Sequence, residues 1–292
     1  MSDAPLLILG CGYVGTRLAK TARAAGRTVR VCGRSTGRLA PLAQLGIEVK
    51  YMDIAMPKQI TAAVSGMHGA TVVYSVPPAS SGPPGSAVRN SLQAAYSVGA
   101  NSFIYFSSSG MYGAGPDDEV WVDEETAVVH DDPPMQGVQT DELVISQNQF
   151  EKLRTVVLRL APVYGPGKGV RERLRKGDYK LLDDGTHAIS RIHIDDVIKV
   201  VFAAEDRAPQ RSLLLVADDE PTTQGAYATW LCDRMGVPMP KSRSMYEPGA
   251  SRVAFRNRKI KNTRLKETLG LELSYPTFRE GEAAIEAELA RE

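Results

Sequence analysis

Short apolar runs alternate with helical patterns along the first half of the chain. Leu6–Leu9 is an unbroken apolar run that ends at a glycine, and Val14–Ala25 has its apolar residues at helical spacing. The alternation continues, and it predicts strands at Leu6–Leu9, Thr28–Cys32, Ile47–Tyr51, Thr71–Val76, Phe103–Phe106 and Thr155–Leu160, with helices at Val14–Ala25, Arg38–Leu45, Gln59–Val64 and Ala87–Val98. Strands and helices that alternate in this way predict βαβ units, and therefore an α/β fold with a doubly wound parallel sheet.

The pattern becomes irregular after residue 165. A helix at Asp195–Ala204 and a strand at Ser212–Val216 are nevertheless predicted to return to the main domain. We therefore expect one large domain over residues 1–165 and a smaller lobe over residues 166–292, with the segment 189–216 belonging to the first.

Composition and charge narrow the class of protein. The formal net charge is +1, so the overall charge does not indicate binding to nucleic acid or to a membrane surface. The three cysteines, Cys11, Cys32 and Cys232, are widely spaced, which favours a reducing, cytoplasmic setting over a disulfide framework. No cluster of His, Cys and Asp predicts a metal site, and no segment has the roughly 20 apolar residues of a spanning helix.

A glycine loop follows the first predicted strand. In "LLILGCGYVGTRLA", Gly10, Gly12 and Gly15 form a G-x-G-x-x-G pattern that opens a helix. In this context the pattern predicts a dinucleotide site, with the pyrophosphate at the helix N-terminus beside Tyr13 and Val14. The alternative is a glycine turn that binds nothing.

The end of the second strand selects between dinucleotides. A site for NAD usually has Asp or Glu there, to bind the ribose 2′-hydroxyl. This chain has Gly33 instead, followed by Arg34, Ser35 and Arg38. Arginine can pair with a 2′-phosphate that an acid would repel, so we expect NADP(H) rather than NAD(H). Arginines on a solvated surface are the alternative.

Further segments resemble the extended short-chain dehydrogenase/reductases, the group that contains nucleotide-sugar epimerases and dehydratases. They are "YMDI" (51–54), "FIYFSSSGMYG" (103–113), "VVLRLAPVYGPG" (156–167), "RIHIDDV" (191–197) and "NTRLKETLGLELSYPTFREG" (262–281). They keep the family's order along nearly the whole chain. The resemblance implies a Rossmann dinucleotide-binding domain, a small C-terminal substrate lobe and a cleft for the substrate between them.

The resemblance also implies roles for single residues. Ser108 matches the family's catalytic Ser/Thr, and Tyr112 is the tyrosine of "YG". The implied cofactor contacts are Asp53 and Ile54 at the adenine, Val76 and Pro77 after the fourth strand, Ser107, and Ala161, Pro162 and Val163 beside the nicotinamide. The implied substrate contacts are Ser109, Met111 and Arg191.

Two departures from the family's pattern stand out. The glycine loop is one residue shorter than the usual GxxGxxG. In addition, family spacing, with Glu142 matched to a glutamate of the following helix, puts the YxxxK tyrosine at Pro134 and its lysine at Val138. Neither residue can donate a proton, so the chain resembles an atypical branch of the family. We expect "DDPPM" to form a turn that leads into a helix at Gln136–Ser146.

Several residues could replace the missing acid. Tyr112 is our first choice, and a packed structural tyrosine is the alternative. His130, Asp131 and Asp132 could enter the cleft, although a solvated loop with a helix-capping aspartate is the expected arrangement. Arg191 would bind an anionic substrate group or form a structural ion pair. We expect His193 to be a core histidine and Asp195 and Asp196 to cap a helix.

Two functions remain open at this point. The first is an NADP-dependent oxidoreductase or epimerase/dehydratase-like enzyme that acts on a small polar substrate with a nonstandard acid. The second is a catalytically silent sensor of NADP(H). The segment 251–266 has seven Arg and Lys residues, but we expect a solvated face and no nucleic acid or membrane partner. The resemblance also implies a homodimer, because extended members of the family pair through the helices that correspond to Ala87–Val98 and Gln136–Ser146.

Overall fold

The structure, a computed structural model, describes residues 3–79, 81–113, 120–130, 132–244, 247 and 257–291. The chain divides into two compact units. The first unit comprises Met1–Ser108, Asp131–Arg159 and Val197–Leu214, and the second comprises Ser109–His130, Leu160–Asp196 and Leu215–Glu292. The functional roles assigned to the two parts of the sequence stay predictions.

The described residues form strands that are numbered here in chain order. They are β1 (Leu6–Leu9), β2 (Val29–Gly33), β3 (Glu48–Tyr51), β4 (Thr71–Tyr74), β5 (Ser102–Ser108), β6 (Val120–Val122), β7 (Arg154–Leu160), β8 (Val163–Tyr164), β9 (Leu181–Leu182), β10 (Ala188–Ile189), β11 (Ile192–His193), β12 (Ser212–Val216), β13 (Thr222–Thr223), β14 (Ser242–Arg243) and β15 (Arg258–Ile260).

The helices are numbered in the same way. They are α1 (Tyr13–Ala24), α2 (Thr36–Ala43), α3 (Pro57–Val64), α4 (Ser86–Ser97), α5 (Pro133–Ser146), α6 (Val170–Arg175), α7 (Ile194–Arg207), α8 (Gln224–Met235), α9 (Thr263–Leu269) and α10 (Phe278–Leu289), with a 3₁₀ turn at Ser109–Tyr112.

A seven-stranded sheet organises the first unit. Its order is β12-β7-β5-β4-β1-β2-β3, and β1 pairs in parallel with both β2 and β4. The order reverses direction beside β1, as it does in a doubly wound sheet, and this confirms the predicted α/β fold. The strands were visible in the sequence because central parallel strands are buried on both faces and are therefore apolar throughout. Leu6–Leu9 is fully buried, and it was predicted with its observed bounds.

A buried ion pair joins distant parts of the first unit. Arg27 lies before β2 and Glu205 lies in α7, and both side chains are buried. The guanidinium donates to both oxygens of Glu205, at 2.7 and 3.0 Å, and also to the carbonyl oxygen of Ala4. Because the bidentate pair has further hydrogen bonds, it meets the conditions under which two charges can be buried together.

Helix α5 begins three residues earlier than predicted. We expected a turn at "DDPPM" and a helix from Gln136, but Pro133 and Pro134 occupy the first turn of the helix. The first turn tolerates proline because its N–H groups have no partner inside the helix and the fixed φ angle of proline suits a helix. Asp132 precedes the helix, yet its side chain makes no capping hydrogen bond. The capping aspartate expected at this position is therefore wrong for Asp132, and Asp131 lies outside the described residues.

The second unit contains smaller sheets. A four-stranded sheet has the order β13-β10-β15-β6, and β11 pairs with β8 and β14 with β9. Helices α6, α8 and α10 enclose a core that includes Tyr164, Tyr227 and Phe278. Within the described part of the chain, no helix is long and apolar enough to cross a membrane.

Candidate functional site

A cavity of about 490 Å³ lies in the first unit, at the carboxyl ends of β1, β2 and β4. Ligands of doubly wound folds bind at this edge, beside the point where the strand order reverses. Ten of the predicted cofactor residues line it, namely Gly10, Gly12, Gly33, Arg34, Ser35, Arg38, Asp53, Ile54, Val76 and Pro77. The residues that were not predicted are Cys11, Leu39, Met52, Ala55, Ser75, Pro78, Ala79 and Ser81.

The remaining predicted cofactor residues are not part of this lining. Tyr13, Val14 and Gly15 form the first turn of α1, directly after the loop. Ser107 is buried in β5. Ala161, Pro162 and Val163 belong to the second unit, where Ala161 is buried.

The three glycines of the loop differ in what a side chain would meet. Gly10 has φ of +88°, and a Cβ there would lie 2.4 Å from Cγ2 of Val76. A Cβ on Gly15 would lie 3.1 Å from the carbonyl oxygen of Gly10, so Gly15 permits close packing of the helix on the strand. A Cβ on Gly12, by contrast, would meet nothing within 4 Å. No steric contact among the described residues therefore explains the glycine at position 12.

Arg34 and Arg38 flank the first turn of α2, and both are exposed. Among the described residues, neither forms an ion pair, although several other arginines of the first unit do. Ser35 occupies the N-cap position without a capping side-chain bond. Two cationic groups and a hydroxyl thus line the cavity, and no carboxylate of the described residues lies within ion-pair distance of either arginine.

Cys11 is buried between the loop and α1. Burial raises the pKa of its thiol, against the weaker opposing effects of a hydrogen bond with Thr16 and of the charge on Arg38. Thiolate is the nucleophilic form of cysteine, so a raised pKa argues against a reactive thiol. Arg38 and Cys11 line the same cavity.

Asp53 and Ile54 form the wall of the cavity after β3. The backbone N–H of Asp53 donates to Oε1 of Gln59 at 2.8 Å, and its Oδ1 accepts from the N–H of Ala55 at 3.0 Å. These bonds hold the loop in a fixed turn, with Ile54 largely buried. The sequence indicated this wall only through its resemblance to "YMDI"-type segments.

Helix α5 presents one face to the sheet, and the residues of this face recur every three or four positions. Val138, Asp141, Glu142 and Ile145 are all buried on this face. Glu142 accepts from Arg159 Nε at 3.0 Å and Nη2 at 2.7 Å, and Ser107 donates to the same carboxylate. Both the charge of Glu142 and the hydroxyl of Ser107 are thus bound inside the first unit.

Asp141 is the second carboxylate on this face. Tyr105 donates its hydroxyl to Oδ2 of Asp141 at 3.1 Å. Burial raises the pKa of Asp141 to about 6. The hydrogen bond from Tyr105 acts in the opposite direction, but its effect is smaller. Adjacent acidic residues on a helix predict surface or interface charges, and this prediction is wrong for Asp141 and Glu142 because the helix turns both toward the sheet.

The two positions that correspond to the family's acid–base pair differ in exposure. Pro134 is exposed in the first turn of α5, whereas Val138 is buried. A valine at position 138 belongs to the apolar part of the buried face. Neither side chain carries a group that could transfer a proton.

The candidates for a substitute acid lie after β5. Ser108 is half-buried at the end of the strand, and Ser109, Met111 and Tyr112 are buried in the 3₁₀ turn. Within the second unit, Tyr112 donates its hydroxyl to the carbonyl oxygen of Asp123 at 2.9 Å. His130 is exposed and Asp132 is half-buried.

Arg191 is buried in the second unit. Its guanidinium carbon lies 3.9 Å from the centroid of the Tyr227 ring, close enough for a cation–π contact. No carboxylate of the described residues lies within ion-pair distance of it, so it does not form the structural ion pair that was one alternative. Asp218 donates its backbone N–H to the carbonyl oxygen of Arg191 at 2.7 Å, and burial raises the pKa of the Asp218 carboxyl.

The neighbouring acidic residues have partners that sequence could not reveal. His193 is buried, and its Nδ1 accepts from the N–H of Asp195 at 3.2 Å. Asp196 accepts from the backbone N–H groups of Ser274 and Tyr275, at 2.7 and 2.9 Å. Asp196 therefore holds a distant loop of the second unit. The described residues contain no group of three His, Cys, Asp or Glu that could hold a metal ion.

Comparison with known proteins places this geometry in context. The sequence profile of the NAD dependent epimerase/dehydratase family matches residues 6–213. A search of curated proteins found no match. A conserved protein of unknown function from Silicibacter pomeroyi has a similar structure, with 26% identity, a TM-score of 0.83 and coverage of 98% of this chain and 99% of that one.

Two other solved structures share the fold at lower identity. UDP-glucose 4-epimerase from Thermotoga maritima, solved with UDP-glucose, has 19% identity, a TM-score of 0.81 and coverage of 98% of this chain and 99% of that one. A short-chain dehydrogenase/reductase superfamily protein from Agrobacterium tumefaciens, solved with NAD, has 19% identity and a TM-score of 0.77, and covers 98% of this chain and 97% of that one.

Proposed function

Because the chain belongs to the NAD-dependent epimerase/dehydratase family, we propose that it binds NADP(H) in the cavity of the first unit. One observation carries the proposal. Gly12 has open space where a Cβ would stand, directly before the N-terminus of α1. A glycine at this place is explained by the close approach of a pyrophosphate, whose charge the helix N-terminus favours.

The preference for NADP(H) over NAD(H) rests on the end of β2. Gly33 is in the place where an NAD site usually has an acid, and Arg34 and Arg38 are exposed beside it. A 2′-phosphate would supply a negative charge for these arginines, which form no ion pair among the described residues. Tyr13, Val14 and Gly15 would position the helix N-terminus, while Asp53 and Ile54 would hold the adenine.

For activity, we propose an oxidoreductase or epimerase-like reaction on a small polar substrate. The bound nicotinamide supplies or accepts a hydride, and the chain must then handle a proton without the Tyr–Lys pair. Ala161, Pro162 and Val163 are proposed for the nicotinamide, and Ser109, Met111 and Arg191 for the substrate. Ser108 and Tyr112 remain the proposed proton-handling residues, and Tyr112 would first have to release the carbonyl oxygen of Asp123.

A catalytically silent NADP(H) sensor is the second candidate, and one observation favours it. The hydroxyl groups of Ser107 and Tyr112 and the carboxylates of Asp141 and Glu142 all have hydrogen-bond partners inside the protein. A hydroxyl that donates its proton to such a partner must break that bond before it can give the proton to a substrate. A sensor would require no proton transfer.

We also propose a homodimer that uses the outer surfaces of α4 and α5. Tyr96 and Leu143 are large side chains on these helices, and they are 40% and 54% exposed. Exposed apolar groups at such a surface suit an interface between two copies. Light scattering should give about twice the mass of the chain, and a mass of one chain would contradict this proposal.

The test of the NADP(H) proposal is a calorimetric titration of Arg34→Ala with NADPH and NADH. Loss of one charge-assisted phosphate contact costs about 1.5–3 kcal/mol, so NADPH affinity should fall roughly 10-fold or more while NADH affinity stays nearly unchanged. Arg89→Ala is a matched control, because Arg89 is an exposed arginine on α4 that does not line the cavity. Equal affinity of the unmodified protein for NADPH and NADH would overturn the preference.

A further inference from the structure

Helix α5 touches the wall of the cavity at a single glycine. Gly137 lies in the first half of the helix, one residue before Val138. A Cβ at position 137 would lie 2.6 Å from Cβ of Pro78 and 3.0 Å from its Cγ. Real Cβ atoms do not approach other carbon atoms so closely, so the helix backbone can reach Pro78 only because position 137 has no side chain.

Pro78 belongs to a stiff wall. Pro77, Pro78 and Ala79 all line the cavity, and they follow β4 directly. The ring of each proline fixes its φ angle, so this segment has few ways to move a ring carbon without moving its backbone. A group pressing on Pro78 would therefore displace the wall itself.

The helix is also unable to retreat easily. Glu142 is bound to Arg159 and Ser107 on the side of the sheet, and Asp141 accepts from Tyr105. At the start of α4, Gly85 has φ of +71°, and a Cβ there would lie 2.8 Å from Cγ2 of Val144. Contacts with both the sheet and α4 thus fix α5. A clash at position 137 would therefore displace mainly the wall formed by Pro77, Pro78 and Ala79.

From this geometry we propose that Gly137 is a positioning residue for the dinucleotide site. It lets α5 support the wall formed by Pro77, Pro78 and Ala79 at the distance that leaves the cavity open. The helix that the resemblance associates with the catalytic lysine would here shape the cofactor site through its backbone. This inference rests on the proposed binding of NADP(H) in the cavity.

The test compares Gly137→Ala with Gly37→Ala. Gly37 also lies in a helix of the first unit, and a Cβ there would meet nothing within 4 Å. Alanine favours a helix over glycine, so helix propensity alone predicts a higher melting temperature for both variants. We expect this only for Gly37→Ala, which is a control for melting temperature alone because Gly37 lies between Ser35 and Arg38 of the proposed site. Gly137→Ala should melt at a lower temperature and bind NADPH at least 10-fold more weakly.

A double-mutant cycle with Pro78→Gly separates positioning from a general loss of structure. Pro78→Gly removes both ring carbons that the new Cβ would meet, so adding Gly137→Ala should change NADPH affinity less than twofold in that background. If Gly137→Ala alone does not fold, a double variant that folds and binds like Pro78→Gly supports the proposal, and one that also fails to fold overturns it.

The possible failures are distinguishable. If the unmodified protein does not bind NADPH, the proposed function fails, and the inference fails with it. If the unmodified protein binds and Gly137→Ala binds within twofold of it, only the role of Gly137 is overturned. Equal losses of affinity from Gly137→Ala with and without Pro78→Gly would also overturn it.

Discussion

The glycine loop and helix α5 both belong to the first unit. The polar groups around the loop are exposed, whereas those on the inner face of the helix are buried. At the loop, Arg34 and Arg38 are exposed, and Gly12 leaves space that no described residue fills. On α5, Asp141 and Glu142 are buried and bound to internal partners. The first arrangement is open to a charged ligand, whereas the second uses its charges to hold helix and sheet together.

The difference shows what the polar residues of α5 do in this fold. Val138, Asp141 and Glu142 belong to one buried face of α5. The carboxylate of Glu142 binds Arg159 and Ser107, so the contacts of this face are structural. Polar groups in one unit can thus hold a helix against the sheet while those around a cavity stay exposed.

The largest expected effect concerns the glycine loop, the region that is open to a charged ligand. Gly12→Ala should fold normally, since its Cβ would meet nothing within 4 Å and its φ of −91° suits any residue. If a pyrophosphate approaches this backbone, the methyl group should disrupt about two charge-assisted hydrogen bonds and weaken NADPH binding roughly 100-fold. Calorimetry and thermal melting measure the two quantities. A variant that binds as tightly as the unmodified protein would show that the open space serves another purpose.

The next effect concerns Asp141, on the buried face of α5. Burial raises the pKa of Asp141 to about 6, above the ordinary value of about 3.9 for aspartate. Between these two values the folded state holds a proton that the unfolded state has lost, so the free energy of unfolding falls as pH rises through this window. Asp141→Asn should remove that loss. The variant should be more stable by roughly 2–3 kcal/mol above pH 6 and nearly equal near pH 4.

Urea unfolding between pH 4 and pH 8 measures this difference. Asp206→Asn is the control, because Asp206 is an exposed aspartate of the same unit, and its substitution should change stability by less than about 0.5 kcal/mol. No gain for Asp141→Asn at pH 7 would mean that the carboxylate is charged there and well stabilised.

The sequence predicted the sheet better than it predicted the site. Leu6–Leu9 could be recognised because burial on both faces leaves an unmistakable apolar run. The start of α5 was missed because prolines are typical of both a turn and a first helical turn. The partners of Asp196 lie 78 and 79 residues away, and no local pattern indicates such a contact.

The same distinction applies within the candidate site. Gly10, Gly12 and Arg34 were predicted because a loop that binds phosphate has a local pattern of residues. Pro78 and Gly137 were missed, since their contact joins segments 59 residues apart and depends on the distance of a helix from a loop. Sequence thus indicates the residues that line the cavity more readily than those that support its wall.

The smallest expected effect concerns Tyr112. Tyr112→Phe keeps the ring and removes the hydrogen bond to the carbonyl oxygen of Asp123, so it should cost about 1 kcal/mol of stability. NADPH affinity should not change. Tyr96→Phe, at an exposed tyrosine, is the control and should have little effect. A 10²–10⁴-fold loss of turnover would support the proposed role of Tyr112 as general acid, and full turnover would show that the tyrosine is structural.

A crystal structure of the protein with NADPH tests the account of the glycine loop and the account of helix α5 together. We expect the 2′-phosphate within about 3 Å of Arg34 or Arg38, and the pyrophosphate at Gly12 and the N-terminus of α1. Glu142 should remain bound to Arg159 and Ser107. NADPH bound elsewhere, or a Glu142 that leaves Arg159 to contact the nicotinamide end, would contradict this account.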